Sequence, residues 1–440
     1  MEKINVLVNS EFLCNTGFAK IAEHIVKGLV KTDKYEFVVV AGNYFGEPYD
    51  HTEFPMPVFP GKYALLQHQP EYNDLRGFQR VLDLLMSGAF DILFSIYDPA
   101  NMSELGPQIA KVKEILKKEK KKVFKWILYF PIESYVREHW VEDAISIADY
   151  PVSYTKFGTK EILKVWKKPL KIDVIPHGID PAEFFPMPEK EIKEAKDKIF
   201  NGLAKGKYLV TNINRNQLRK DYPTTLKVFK KFKEKVPNAL LYLHGRPQDF
   251  GGDFTVMAND LGLKLQEDYI FPYNMGEEGF PAAFMNMIYN VSDMIISTSL
   301  GEGWGLETAE AFATKKPFVG PDNTAFTEIC ADGRGTLAKL SGNFKNFGPS
   351  LANLYFETVD VDDMAKKMEE IQFAGSDKWL QKNIDNAYDW VQNLTWDKIV
   401  PQWEALFEKA YGFSKVDKKI ERNQMCPCGS KKKFKRCCGL

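Results

Sequence analysis

Apolar residues in this chain fall into short continuous runs separated by stretches in which they recur every three or four positions, and the two patterns take turns. INVLVN at 4–9 opens the series. An amphipathic stretch from Gly17 to Leu29 follows, then YEFVVVAG at 35–42, a helical stretch near Leu75 to Met86, FDILFSIYD at 90–98 and KVFKWILYFPI at 122–132. Strand, helix and strand in this order predict a parallel sheet with crossover helices. The alternation restarts after Lys207 with YLVTNIN, Thr224 to Lys235, ALLYLHG, a helix around Thr255 to Leu261 and DYIFPYN. An apolar helix before Val291, DMIISTS, a helix after Gly305 and KPFVGP complete it. The expected fold is therefore α/β, with two doubly wound Rossmann-like domains at 1–175 and 201–385 facing a cleft. Pro176, Pro181, Pro186 and Pro188 oppose regular structure in the connection 176–200. Beyond the second sheet, a helical segment from about Lys378 to Tyr411 carries Trp379, Tyr388, Trp390, Trp396, Trp403 and Phe407, which need a surface to cover. Its part 386–415 is expected to pack back on the first domain.

Size agrees with this division, because 440 residues exceed the roughly 250 to 300 at which one hydrophobic core stops growing. Lys plus Arg equal Asp plus Glu at 59 each, so the molecule lacks the global positive field of a nucleic-acid or anionic-membrane binder. No apolar run approaches the ~18 residues of a membrane span, and the start resembles a first strand rather than a signal peptide. A cytoplasmic protein without integral membrane association is expected.

The densest chemistry lies in STSLGEGWGLETAEAFATKKPFVG, where a strand ends, a Gly-rich turn follows and a helix opens near Leu306. Backbone N–H groups of Gly303, Trp304, Gly305 and Leu306 at that helix start favour an anion such as a diphosphate. Glu302 and Glu310 lie before the helix and one turn inside it. After the strand that opens the second domain, NINRNQLRKDYP supplies Arg215 and Lys220, with Arg219 as an alternative. Their place at the carboxyl edge of an open α/β sheet is where such folds bind ligands. In the first domain, SEFLCNTGFAK sets Gly17 at a helix start behind Asn15 and Thr16, and contains no G-x-G-x-x-G of a dinucleotide-binding oxidoreductase.

These motifs together resemble the retaining GT-B transferases of glycosyltransferase family 4. The chain carries an E-x7-E pattern at Glu302 and Glu310, an R-x-x-x-x-K element at Arg215 and Lys220, and VIPHGID, similar to the family's V-I-P-N-G-V-D with His177 replacing asparagine as a hinge marker. The resemblance covers roughly Ile4 to Phe413. It implies a nucleotide-sugar donor, with Glu302 by the sugar and phosphate, Glu310 on the ribose hydroxyls, and Arg215, Lys220, Gly17 and the 303–306 amides on the leaving diphosphate. It also implies no catalytic metal. Where the family often carries an acceptor-side histidine, this chain offers only Asp98 and Glu133 as ionisable candidates, and the acceptor stays unidentified.

Of six cysteines, Cys14 and Cys330 are isolated, whereas Cys426, Cys428, Cys437 and Cys438 crowd the end. Four thiolates at this spacing can close a tetrahedral structural zinc site, a clip that so short a segment needs in order to fold. RNQMCPCGSKKKFKRCCGL closely resembles the SEC-C zinc motif, with Lys431 in place of a glycine. Lys431, Lys432, Lys433, Phe434, Lys435 and Arg436 form either a basic surface for a nucleic-acid or protein partner, or part of a metal-capped tail without one. A hydroxylated DNA base is accordingly one candidate acceptor. The alternative of a different class is a non-catalytic binding module that keeps the transferase scaffold and recruits a partner through the zinc tail.

Overall fold

The computed structural model describes residues 3–61, 74–272, 279–416 and 433. The zinc-ligand candidates Cys426, Cys428, Cys437 and Cys438, and with them the knuckle expected at 420–440, lie outside the described residues.

The first domain runs β1 (Ile4–Glu11), α1 (Gly17–Val30), β2 (Tyr35–Gly42), β3 (Val58–Pro60), α2 (Phe78–Leu85), β4 (Ile92–Ile96) and α3 (Pro99–Lys118). It continues with β5 (Lys125–Phe130), a short helix α4 (Glu138–Trp140) extended by one wide turn, β6 (Tyr150–Ser153), α5 (Lys156–Val165) and β7 (Asp173–Val174). Its seven strands lie in the order β3-β2-β1-β4-β5-β6-β7, every pairing parallel. The near-continuous apolar runs of β1 and β4 reflect helices on both faces: Ile92 to Ile96 are buried without a break. In α1 the apolar residues Ala19, Ile21, Ala22, Ile25, Val26 and Leu29 share the buried stripe. Thr16 caps its start, its hydroxyl accepting from the Ala19 amide at 3.2 Å.

The chain then crosses over. Within the proline-rich connection, residues 189–199 form α6 (Glu189–Ile199), with Pro188 at its N-cap. The second domain comprises β8 (Tyr208–Ile213), α7 (Tyr222–Lys235), β9 (Ala239–His244), the ribbon strands β10 (Gln248–Asp249) and β11 (Gly252–Asp253), α8 (Phe254–Asp260), β12 (Tyr269–Ile270) and α9 (Ala282–Val291). Next come β13 (Met294–Ile296), α10 (Leu306–Ala313), β14 (Phe318–Pro321), α11 (Phe326–Ile329) and β15 (Thr336–Ala338). An antiparallel pair, β16 (Leu340–Asn346) with β17 (Tyr355–Val359), precedes α12 (Val361–Ala374) and α13 (Lys378–Val391). The main sheet orders its strands β12-β9-β8-β13-β14-β15, again all parallel.

The final helix α14 (Trp396–Val416) leaves the second domain and lies on the first. Trp403 is fully buried against Tyr129 and Phe94, with ring centroids 4.6 and 5.2 Å away, and Lys34 pairs with Glu404 and Glu408. By contrast α13, which includes residues 386–391, stays with the second domain, where Trp390 meets Phe312 and Lys315 pairs with Asp385. The two crossings run side by side. Ile179 N–H donates to the Leu394 carbonyl at 2.8 Å, and Trp396 N–H to the Ile179 carbonyl at 3.3 Å.

Candidate active site at the two switch points

In each sheet the strand order reverses once, between β1 and β4 and between β8 and β13. Loops leaving adjacent strands at such a reversal diverge to opposite faces and open a crevice at the carboxyl ends. The residues after β1 and β4 are those leading to Gly17 and to Asp98; those after β8 and β13 carry Arg219, Lys220 and Glu302. The domains face each other across these two crevices. A side-chain carbon added at Gly17 would sit 3.6 Å from Leu306 Cδ1, so the starts of α1 and α10 confront one another. At Gly301 and Gly303 an added carbon would overlap the Glu133 carbonyl and Pro131, so only glycine lets this turn approach the end of β5 so closely. Gly305 adopts φ +92°, the left-handed turn that launches α10.

A buried charge cluster occupies this junction. Glu302 Oε1 binds Lys220 Nζ and lies 3.1 Å from an Arg219 terminal nitrogen, while Arg219 Nε lies 3.3 Å from Glu133 Oε2. Burial would raise the Glu302 carboxyl, but the Arg219 and Lys220 charges outweigh it and hold the group at about 2. Burial is also the leading influence on Glu133 and Asp98, and there it prevails over the Arg219 charge, lifting them to about 7 and about 6. One carboxylate in the cluster is thus firmly ionised while two neighbours titrate near neutrality.

Of the basic residues singled out from the sequence, Lys220 belongs to this cluster and Arg215 stands apart, half-exposed, with its Nε 3.1 Å from Asp249. Arg219 is the guanidinium that reaches Glu302. The spacing could not decide between them, because both follow the same strand. Glu310 lies one turn inside α10, buried, accepting from the Tyr289 hydroxyl at 2.6 Å and pairing with Lys20 of the first domain at 3.2 Å. Trp304 turns its ring into the core beside His177 and Trp390. His177 itself is buried among Tyr129, Tyr154 and Trp304 with both ring nitrogens unpartnered, and burial depresses it to about 3. That packing suits a hinge filler.

Sequence reasoning missed Glu307. It is 6% exposed in the first turn of α10, one oxygen has no hydrogen-bond partner, and burial raises it to about 7. A glutamate at a position where the helix turns its buried face inward was the available signal. Lys20 and Lys345 were also missed; the latter ion-pairs with Asp221 at 2.6 Å, next to Lys220. No group of three or more His, Cys, Asp or Glu side chains arranged to hold a metal ion occurs among the described residues.

Residues 193–370 match the family model of Glycosyl transferases group 1, and residues 422–440 match that of the SEC-C motif. Trehalose synthase of Thermococcus litoralis is 27% identical over 155 residues, which are 34% of this chain and 36% of that protein. The match thus spans roughly a third of the curated relative's length. Among solved structures, the sucrose-phosphate synthase of Thermosynechococcus elongatus superposes with a TM-score of 0.69 at 13% identity, covering 93% of this chain and 99% of that one. The Anabaena protein HepE, in complex with UDP-glucose, gives a TM-score of 0.65 at 14% identity, over 92% and 99%. These likenesses show a shared fold across both domains, with the matched family segment on the half that carries Arg219, Lys220, Glu302 and Glu310. The chain therefore has the two-domain GT-B fold, with a Glycosyl transferases group 1 domain at 193–370 and a SEC-C motif at its end.

Proposed function

We propose that this chain is a retaining glycosyltransferase that takes its sugar from a nucleotide-sugar donor. The observation that carries this reading is the buried Lys220–Glu302–Arg219 cluster at the start of α10, with Gly17 and the start of α1 opposite. The first amides of a helix have no intrahelical acceptor, and a diphosphate supplies one. Lys220, Arg219 and, by swinging from Asp249, Arg215 offset the charge that the leaving diphosphate gains as the glycosidic C–O bond breaks. Glu302 holds the two nearer cations in place, and Glu310 accepts from the ribose hydroxyls. The acceptor oxygen then forms its bond to the anomeric carbon on the face the diphosphate leaves, and its proton passes to a phosphate oxygen. Glu133 and Asp98, which burial raises to about 7 and about 6, line the acceptor side, where a carboxyl can hydrogen-bond and orient the acceptor hydroxyl. This arrangement uses side chains and amides for charge neutralisation, and transfer is expected to proceed without an added divalent ion.

In the SEC-C motif, Cys426, Cys428, Cys437 and Cys438 would hold one structural zinc, whose role is to fold that segment. A hydroxylated DNA base as acceptor draws its support from the basic residues of this tail.

Purified full-length protein is incubated with a panel of nucleotide sugars, UDP-glucose first because the Anabaena neighbour binds it, and nucleotide diphosphate release is followed. Release is expected from one donor, unaffected by EDTA. An α-linked donor should give an α-linked product by NMR. An inverted product rejects retention, and binding of donors without any release supports the non-catalytic module instead. An oligonucleotide containing hydroxymethylated cytosine serves as the nucleic-acid acceptor arm.

A further inference from the structure

Asp221 directly follows Lys220 and has φ +49° and ψ +51°, the left-handed region, which aspartate enters when its side chain finds local partners. It closes the tight turn Leu218–Lys220, which carries both cations of the buried cluster, and it opens α7. Glycine would take this conformation freely, so the aspartate is accounted for by what its carboxylate holds. Asp221 is 2% exposed and both its oxygens are engaged. Oδ2 accepts from the Thr224 hydroxyl at 2.7 Å, inside α7, and Oδ1 accepts from Lys345 Nζ at 2.6 Å, on the ribbon β16–β17. From the other side, the Leu300 amide donates to the Arg219 carbonyl at 2.8 Å, and the Thr298 hydroxyl lies 3.2 and 3.0 Å from the carbonyls of Lys220 and Asp221. The backbone that carries Lys220 is thus gripped between the loop bearing Glu302 and a carboxylate clamped from outside.

Lys345 is long and flexible, and it holds a position only if its strand does. The ribbon is rooted in the second domain yet rests on the first. Arg137 donates to the carbonyls of Ala352 and Asn353, both at 3.1 Å, and the Tyr355 amide donates to the Tyr135 hydroxyl at 3.4 Å. Leu354 and Phe356 are buried in the apolar cluster that includes Val136 and Trp140. Lys345 pairs in register with Phe356, so the cation and the buried ring share one face, while Phe344 stands on the other, 62% exposed. The residues that seat the ribbon follow Glu133, itself the partner of Arg219. One stretch of the first domain therefore meets the cation turn directly at Arg219 and indirectly through the ribbon at Asp221.

Resting on the transferase reading above, we propose that Asp221 and Lys345 are positioning residues for Lys220, and that the ribbon makes this placement depend on the two domains being docked. Asp221 holds the turn, Lys345 holds Asp221, and the seat at Tyr135 to Trp140 holds the strand that carries Lys345.

All tests use the full-length protein, with UDP-glucose or whichever nucleotide sugar releases its diphosphate. Asp221→Gly keeps the left-handed turn and removes the clamp, so kcat is expected to fall about tenfold or more while the donor KM stays within about twofold and the thermal midpoint is held. In a Lys220→Ala background the same change should cost little further, because it acts through Lys220. Amide hydrogen exchange over residues 218–225, measured with no nucleotide present, should quicken in Lys345→Met and also in Arg137→Ala, although Arg137 touches none of these residues. Phe344→Ser, on the opposite face of the ribbon, should exchange and turn over like the parent. Parental kcat in Asp221→Gly, an undiminished further loss in the Lys220→Ala background, or unchanged exchange in either Lys345→Met or Arg137→Ala would each overturn the proposal. A parent that releases nucleotide from no donor, with exchange responding as described, rejects the transferase and leaves the clamp standing.

Discussion

Glu302, in the turn before α10, and Glu307, in its first turn, lie five positions apart, yet their surroundings give them opposite charge behaviour. Glu302 is held at about 2 because Arg219 and Lys220 outweigh its burial, so the stability it contributes is present above the unfolded carboxyl value of ~4.3 and is lost as pH falls toward 2. Glu307, raised to about 7 by burial, contributes fully below ~4.3, and that contribution is lost as pH rises through about 7. Glu307→Gln should therefore stabilise the protein at about pH 8 by on the order of 2 kcal/mol, and flatten the fall in stability between about pH 5 and 8 in urea titrations. The slope that remains combines Glu133 and Asp98, raised in the same sense, with His24, His177 and His244, which burial depresses and whose contribution runs the opposite way, falling away as pH drops below ~6.5. A variant as pH-dependent as the parent would show that Glu307 is not buried unpaired. For the reaction itself, Glu302→Gln and Lys220→Ala should each lower turnover by on the order of 10² to 10³, the cost of one preorganised electrostatic contact. Arg219→Ala should cost more than Arg215→Ala, since Arg219 sits in the cluster while Arg215 faces solvent on Asp249. Equal turnover in the last two variants would remove that distinction.

At the scale of elements, the two parallel sheets were legible because both are built from apolar runs too short for helices and separated by helical periodicity. The ribbon β16–β17 was not. LSGNFKN carries few apolar residues and YFETV is short, and the ribbon is seated by contacts with Tyr135, Arg137 and Asp221, far away in sequence. The glycine-rich turn announced a close approach, and the structure supplies its partner in the backbone at the end of β5. Gly303→Ala should accordingly force Pro131 and the domain contact apart, costing about 1–3 kcal/mol. Nucleotide release should fall while the circular dichroism of both domains is retained. The aromatic residues of the last helices called for a surface, and α14 finds it: Trp403→Ala should cost about 3–5 kcal/mol by chemical denaturation, because a fully buried indole leaves a cavity between Tyr129 and Phe94.

For the whole molecule, the SEC-C segment should behave as a separate metal-dependent unit. The full chain should carry one zinc by elemental analysis, the chain ending at Glu421 none, and the thermal midpoint of the large domains should be the same in both. Retained zinc in the shortened chain would point to another site. The paired crossings at Ile179 and Trp396 have a consequence for how the chain is assembled. Because the chain leaves and re-enters the first domain through two segments that hydrogen-bond to each other, residues 181–395 are an insertion whose ends nearly touch. Such a segment can be cut out as a single piece or have its order of connection permuted without stretching either half. A first domain closed by joining Asp180 directly to the start of α14 should therefore fold with α14 seated on β4 and β5, making the donor half of the molecule an exchangeable module on a fixed base.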